Sequence, residues 1–195
     1  MPDGAAVIRV EDTIRALGRI AAAHRRRRAV PVVAITGSCG KSTTKELAAS
    51  LLQTRFRTVK THLTENNHIG VPLTLLRLSP EDELAVLELG SNHPGEIAAL
   101  ADIANPDVAV ITNVGPAHLE YFGSLRGVLE EKLSLIEALR PGGTAIVPGD
   151  QLEVVLEAKR RLPAGRRLLT FGVSEQCGIA GVDIRRGPEG WSFRV

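Results

Sequence analysis

The sequence predicts an α/β protein: a doubly wound, mainly parallel sheet of the phosphate-loop type, followed by a C-terminal β-hairpin. Three observations carry that prediction. Short runs rich in Val, Ile and Leu alternate with longer stretches of helical spacing, as buried parallel strands joined by crossover helices do. The first such run leads directly into a glycine-rich turn, Thr36-Gly37-Ser38-Cys39-Gly40-Lys41-Ser42-Thr43, that opens a helix. The last segment changes style, with two short strands around Gly187-Pro188-Glu189-Gly190.

The elements follow in order. Over residues 11–24, Ile14, Leu17, Ile20 and Ala21 recur at helical spacing, and Asp12 or Thr13 suits the helix start because its side chain can accept from free first-turn amides. The helix runs out into His24-Arg25-Arg26-Arg27-Arg28, which reads as a solvated end whose cations complement the negative pole of the dipole. Residues 29–35 form a β-branched strand, 41–53 a helix and 58–61 a short strand. Residues 71–78 are helical, with Pro72 tolerated in the first turn. A strand over 84–89, a helix over 95–104 and a strand over 108–112 come next. The helix over 125–139 stops at Arg140-Pro141-Gly142-Gly143, a strong breaker. A strand over 145–147, a helix over 152–162 and a strand over 168–171 complete the alternation. Residues 182–185 and 191–195 pair as the hairpin, which is marginal unless it packs on something.

Composition narrows the function. At about 150 residues per domain, 195 residues allow one domain with attachments. Lys plus Arg number 24 against 22 Asp plus Glu, a net charge of +2 that lacks the basic excess of a nucleic-acid coat. Aromatic residues make up 3%, too few for a single-strand stacking platform. Cys39 and Cys177 supply neither a disulfide framework nor a four-ligand zinc site. No apolar run approaches the roughly 20 residues of a bilayer span, and no secretory leader opens the chain. The expectation is a cytoplasmic protein.

The glycine-rich turn carries the strongest chemistry. Gly37 and Gly40 allow a backbone that aims amides at an anion, and the helix start adds the positive end of its dipole. Lys41 is placed to neutralise β- and γ-phosphates, and the Ser42 hydroxyl to bind Mg²⁺. Ile35 stands where the longer form of the motif has its first glycine. Cys39 reads as a small loop residue rather than a nucleophile, having no base beside it in sequence.

Two further strand ends carry ligand-type residues. Glu88 closes the strand over 84–89, and His118 follows the strand over 108–112. Ligands of doubly wound sheets sit at the carboxyl ends of strands, so both should converge with the phosphate loop and help hold Mg²⁺ on phosphates. Taken singly, a strand-end Glu or His is more often a cap or turn residue. Asn66-Asn67-His68-Ile69-Gly70-Val71-Pro72 is a polar turn feeding a helix, and composition makes Lys132, beside Glu130 and Glu131, a solvent-facing lysine.

Together these residues resemble the central ATP-binding domain of the Mur ligases. The resemblance rests on residues 35–43, on Asn66-Asn67-His68-Ile69-Gly70-Val71-Pro72-Leu73-Thr74-Leu75-Leu76, on Glu88-Leu89-Gly90-Ser91-Asn92-His93-Pro94-Gly95-Glu96-Ile97 and on His118-Leu119-Glu120-Tyr121-Phe122-Gly123-Ser124, in that order. It implies an ATP-dependent, ADP-forming amide ligase of peptidoglycan precursor synthesis. The branch it points to adds D-Ala-D-Ala to UDP-MurNAc-tripeptide through an acyl phosphate. It implies ATP and Mg²⁺ as cofactors and these two small molecules as substrates, with no nucleic-acid or membrane partner and a monomeric state.

The same resemblance assigns roles. Lys41, His118 and Lys132 would be catalytic. Thr36, Gly37, Ser38, Cys39, Gly40, Lys41, Ser42, Thr43, Asn66 and Asn67 would bind the nucleotide. Ser42, Glu88, His118 and Lys132 would serve the metal, Lys132 after carbamylation, although Leu133-Ser134 follow it where the family has Gly-Glu. Residues 1–28 would be the tail of a UDP-sugar-binding domain with a linker helix, and 29–195 the central domain, incomplete at its C-terminus. Other readings are another Mur-type amino-acid ligase, a non-catalytic Mg-nucleotide-binding remnant, and, from the arginine run alone, a nucleic-acid-binding ATPase.

Overall fold

The computed structural model describes residues 6–195; the first five residues of the expected N-terminal tail lie outside the described residues. Helix α1 (Thr13–Arg28) starts where Asp12 Oδ1 accepts from the amides of Ile14 and Arg15, at 2.8 and 3.0 Å. The arginine run extends it beyond residue 24, until Ala29 turns left-handed at φ 54°. After this cap come β1 (Val32–Thr36), α2 (Lys41–Gln53), β2 (Thr58–Lys60), α3 (Gly70–Leu76), β3 (Leu84–Glu88), α4 (Glu96–Ala104) and β4 (Val108–Ile111). Then follow α5 (Leu119–Phe122), α6 (Leu125–Glu137), β5 (Thr144–Pro148), α7 (Leu152–Arg161), β6 (Arg167–Gly172), β7 (Ile179–Ala180) and the hairpin β8 (Val182–Gly187) and β9 (Gly190–Arg194). The one-turn α5 and the two-residue β7 have no periodic signal in the sequence, being shorter than any pattern window.

Strands β1 to β7 form one sheet in the order β2-β3-β1-β4-β5-β6-β7, with every neighbouring pair parallel, while β8 and β9 pair antiparallel by themselves. The chain leaves β1 towards one edge, returns through β3, and then crosses to β4 on the other side of β1. That reversal opens a crevice at the carboxyl end of β1, the place where open α/β sheets bind ligands.

Alternate residues of the central strands enter opposite cores. Val32, Ala34, Ala85, Leu87, Ala109 and Ile111 join the larger cluster with α4 and α6 residues such as Leu100 and Leu133. Ile35, Val86 and Val110 face the other way, onto Ala49 of α2. Cover on both faces holds for the central strands but not for the far edge, where Leu169 of β6 is 41% exposed.

The arginine run is not uniformly solvated. Arg25 is 2% exposed: its guanidinium donates to the carbonyls of Ala104 and Asn105 and pairs with Asp107 at 3.2 Å. Asp107 also accepts from the Val32 amide and pairs with Arg140. One arginine in four therefore fastens α1 to the start of β4, a partner 82 residues away. Among the described residues no helix is long and apolar enough to cross a membrane.

Candidate functional site

The carboxyl ends of β1, β3 and β4 meet in one crevice because these strands are neighbours in the sheet. From β1, the chain enters the loop Gly37–Gly40. Gly37 sits at φ 149°, and a Cβ there would lie 2.0 Å from the Thr112 hydroxyl, so no side chain fits. Gly40, at φ 79°, precedes α2, which has no side-chain cap. The first intrahelical bond runs from the Thr44 amide to the Gly40 carbonyl, which leaves the amides of Lys41, Ser42 and Thr43 free of helical partners. An uncapped helix start behind a glycine turn is an anion site.

The exit of β4 holds the loop in this shape. Asn113 accepts the Ser38 amide on its backbone carbonyl and the Cys39 amide on its side chain, at 3.1 and 2.9 Å. The Thr112 hydroxyl donates to the Cys39 carbonyl at 2.6 Å. Ser38 and Gly115 exchange two bonds: the serine hydroxyl donates to the carbonyl and accepts from the amide. Thr36, the last residue of β1, is buried, and its hydroxyl donates to the Leu89 carbonyl. Lys41 folds back over the loop, its Nζ donating to the Gly37 carbonyl at 2.9 Å. Ser42, Thr43 and Cys39 are exposed.

A cleft of about 350 Å³ opens beside this loop, and Lys41, Asn66, Asn67 and His118 line it together with Gly90 and Ser91. Asn67 spends its side-chain oxygen on the amides of Ile69 and Gly70, capping the chain into α3. His118 caps α5 in the left-handed region, φ 48°, an uncommon conformation for a residue with a side chain. Its ring meets Phe122 edge-on with centroids 6.5 Å apart.

Glu88 and Lys132 lie beneath the cleft, each bonded to a lining residue. Glu88 is 1% exposed, and its Oε1 accepts from the Asn66 side chain at 2.8 Å. Its Oε2 has no hydrogen-bond partner, and the nearest cation, Lys45 Nζ, is 3.9 Å away. A buried carboxylate oxygen without a partner costs about 1–3 kcal/mol, and a hard divalent cation is the ligand that relieves it. Among the described residues no three or more His, Cys, Asp or Glu side chains converge on a metal. An ion bound here would need most of its shell from water and phosphate oxygens, as Mg²⁺ commonly has.

Lys132 is not solvent-facing, as composition suggests, but 2% exposed. Its Nζ donates to Ser91 Oγ at 2.8 Å and lies over the Phe122 ring. Burial, and then the nearby charge of Lys41, lowers its pKa from 10.5 to about 8, with Glu131 and Glu96 opposing. The loop that presents Ser91 is tied down by two carboxylates. Glu96 accepts from the amides of Asn92 and His93, and Glu131, on α6, accepts from those of Gly95 and Ile97. Sequence reasoning missed Ser91, Thr112, Asn113 and Lys45. Signals existed for Ser91, which stands inside the motif that follows Glu88, and for Thr112 and Asn113, as polar residues at a strand exit beside β1.

The family description "Mur ligase middle domain" matches residues 35–195. The UDP-N-acetylmuramoyl-tripeptide--D-alanyl-D-alanine ligase of Bacillus subtilis (strain 168) is 45% identical over 150 residues, covering 77% of this chain and 33% of the relative. The protein of the same name from Escherichia coli (strain K12) is 46% identical over 141 residues, covering 72% and 31%. The crystal structure of MurF ligase from Thermotoga maritima in complex with ADP superposes with a TM-score of 0.89 at 32% identity, over 99% of this chain and 44% of that one. The chain thus spans about a third of the length of the curated relatives it matches. By motif, fold and sequence identity, the chain belongs to the Mur ligase middle-domain family.

Proposed function

We propose that this chain supplies the nucleotide and metal apparatus of an ATP-dependent amide ligase that joins D-Ala-D-Ala to UDP-MurNAc-tripeptide, in the synthesis of peptidoglycan precursors. One observation carries the reading: the uncapped start of α2 and the cleft lined by Lys41, Asn66, Asn67 and His118 share one sheet edge, directly above buried Glu88 and Lys132. In this reading residues 29–195 form the ATP-binding unit and residues 1–28 the tail of a UDP-sugar-binding domain with a linker helix, α1, which Arg25 fastens to Asp107.

In this reading a tripeptide carboxylate oxygen attacks the γ-phosphorus of ATP, the bond to the β–γ bridging oxygen breaks, and ADP leaves. The amine of D-Ala-D-Ala then attacks the acyl phosphate carbon, phosphate departs, and the amine proton passes to solvent. The loop from Thr36 to Thr43 surrounds the phosphates: its free amides and the Lys41 ammonium face the charge that builds on the transferring group, and preorganised electrostatics of this kind carry phosphoryl transfer. Gly37, Ser38, Cys39 and Gly40 act through backbone shape, which Asn113 and Thr112 fix in advance. Asn66 and Asn67 orient the γ-phosphate or the acceptor.

Ser42 and Glu88 would hold one Mg²⁺, and His118 with Lys132 a second; when bound, magnesium neutralises phosphate charge and polarises the phosphoryl oxygens. Lys132 suits carbamylation, because burial favours its neutral amine, the form that adds carbon dioxide. The reading carries with it a cytoplasmic, monomeric enzyme without membrane or nucleic-acid partners; the near-neutral charge argues against a nucleic-acid coat.

The test is substrate-dependent ADP release by a longer protein that contains this chain. With ATP, Mg²⁺ and UDP-MurNAc-tripeptide, D-Ala-D-Ala is expected to drive turnover and glutamate or 2,6-diaminopimelate is not. Turnover with one of those instead would move the protein to another branch of the family.

A further inference from the structure

Lys45 lies one turn beyond Lys41 on α2, yet it is 1% exposed, and a buried ammonium is costly unless its protons are bonded. Its Nζ donates to the carbonyls of Thr61 and Leu63 at 3.0 and 2.9 Å and pairs with Glu46 at 2.9 Å. Leu63 stands at φ 46°, a conformation that a bulky side chain adopts only when its surroundings impose it. The segment that Lys45 clamps is the one that holds Glu88. The Thr61 hydroxyl accepts from the Glu88 amide at 3.0 Å, and the Asn66 side chain donates to Glu88 Oε1 at 2.8 Å.

The remaining neighbour of Lys45 is Glu88 Oε2, at 3.9 Å. That separation is short enough for charge compensation and too long for a hydrogen bond. The lysine therefore balances the buried carboxylate without occupying the lone pairs of Oε2, which stay unpartnered. Packing alone would be served at less cost by an apolar residue; a cation here has a use beyond packing.

We propose that Lys45 is a positioning residue for the magnesium site: it clamps the segment from Thr61 to Asn66 against α2 and so holds Glu88 with Oε2 free for the ion. This inference rests on the reading of the cleft as a magnesium–nucleotide site, and the experiment separates the two. ADP is titrated by calorimetry into the 195-residue chain, once with magnesium and once with EDTA, and the ratio of the two affinities is the magnesium factor.

Lys45→Met is expected to lower that factor roughly ten- to a hundredfold and to leave metal-free ADP affinity within about threefold of wild type, the loss seen when a partner of a metal ligand is removed. Lys45→Arg, which keeps the charge, is expected to restore part of the factor. A wild-type factor in Lys45→Met, or a parallel fall of both affinities, would overturn the proposal. A wild-type chain with no magnesium factor overturns the reading of the site itself. If Lys45→Met does not fold, hydrogen exchange on the wild type decides: magnesium with ADP is expected to slow the amides of residues 61–66 more than ADP with EDTA does. Equal exchange there overturns the proposal.

Discussion

Lys132 of α6 donates to the hydroxyl of Ser91, 41 residues earlier in the chain, at 2.8 Å and from a position 2% exposed. A lysine on an otherwise amphipathic helix is thereby turned inward, beneath the floor of the cleft rather than into water. That placement has a cost and sets the first prediction.

Below about pH 8 both the folded and the unfolded chain keep the Lys132 proton, and the folded state carries the full burial cost, roughly 3 kcal/mol for a pKa lowered from 10.5 to about 8. As pH rises from about 8 to 10.5, the folded chain has released a proton that the unfolded chain still binds, so this contribution raises stability with pH. Lys132→Met is expected to be about 1–2 kcal/mol more stable than wild type near neutral pH, after the lost Ser91 bond is counted, with the gap closing towards pH 10. Urea denaturation at the two pH values in carbon dioxide-free buffer measures it. A variant less stable at neutral pH would refute the burial cost.

Lys41 reaches only the Gly37 carbonyl and is half-buried. Lys41→Ala is expected to weaken ADP binding by roughly 10- to 100-fold, the value of a hydrogen bond to a charged group, while stability changes by about 0.5 kcal/mol or less. Calorimetric titration beside a urea melt reads both. Equal heats from the two proteins would remove the phosphate loop from the account.

Two glycines of the site fail differently. A Cβ on Gly90 would lie 2.6 Å from Asn66 Oδ1, the end of a side chain that can swing away at the expense of its bond to Glu88. Gly90→Ala is expected to cost about 1 kcal/mol of stability but most of the magnesium dependence of nucleotide binding. Gly37→Ala meets the Thr112 hydroxyl at 2.0 Å from a φ of 149° and is expected to cost about 2 kcal/mol or more. Melts and titrations on the pair separate the two outcomes.

The arginine run offers a comparison within one helix. Arg25→Met breaks the buried pair with Asp107 and empties two carbonyl contacts, at an expected cost of about 2–4 kcal/mol. Arg27→Ala, at an exposed position, is expected to change stability by about 0.5 kcal/mol or less. Urea unfolding of both variants checks this, and equal losses would mean that the ion pair contributes nothing special.

The helix from Lys41 to Gln53 was legible, its start set by the glycine turn that precedes it. The start of α1 was legible for the same kind of reason: Asp12 caps from within its own turn. Its C-terminal end was not. Nothing local distinguishes Arg25 from Arg26, and only the position of Asp107 across the sheet selects which arginine turns inward. Lys132 and Lys45 are of the same kind, since their partners lie 41 and 16 to 18 residues away and are delivered by other elements.

The alternation of strands and helices, the phosphate loop, and the residue types at the ends of β1, β3 and β4 can be read from the chain alone. Those features depend on backbone periodicity and turn chemistry, which act over a few neighbouring residues. It takes the packed fold to leave Glu88 an unpartnered oxygen, to brace the loop with Asn113, and to bury Lys45 and Lys132. Burial and charge compensation are sums over everything that packs nearby, and the strand order that brings those neighbours together is written in no single segment of the chain.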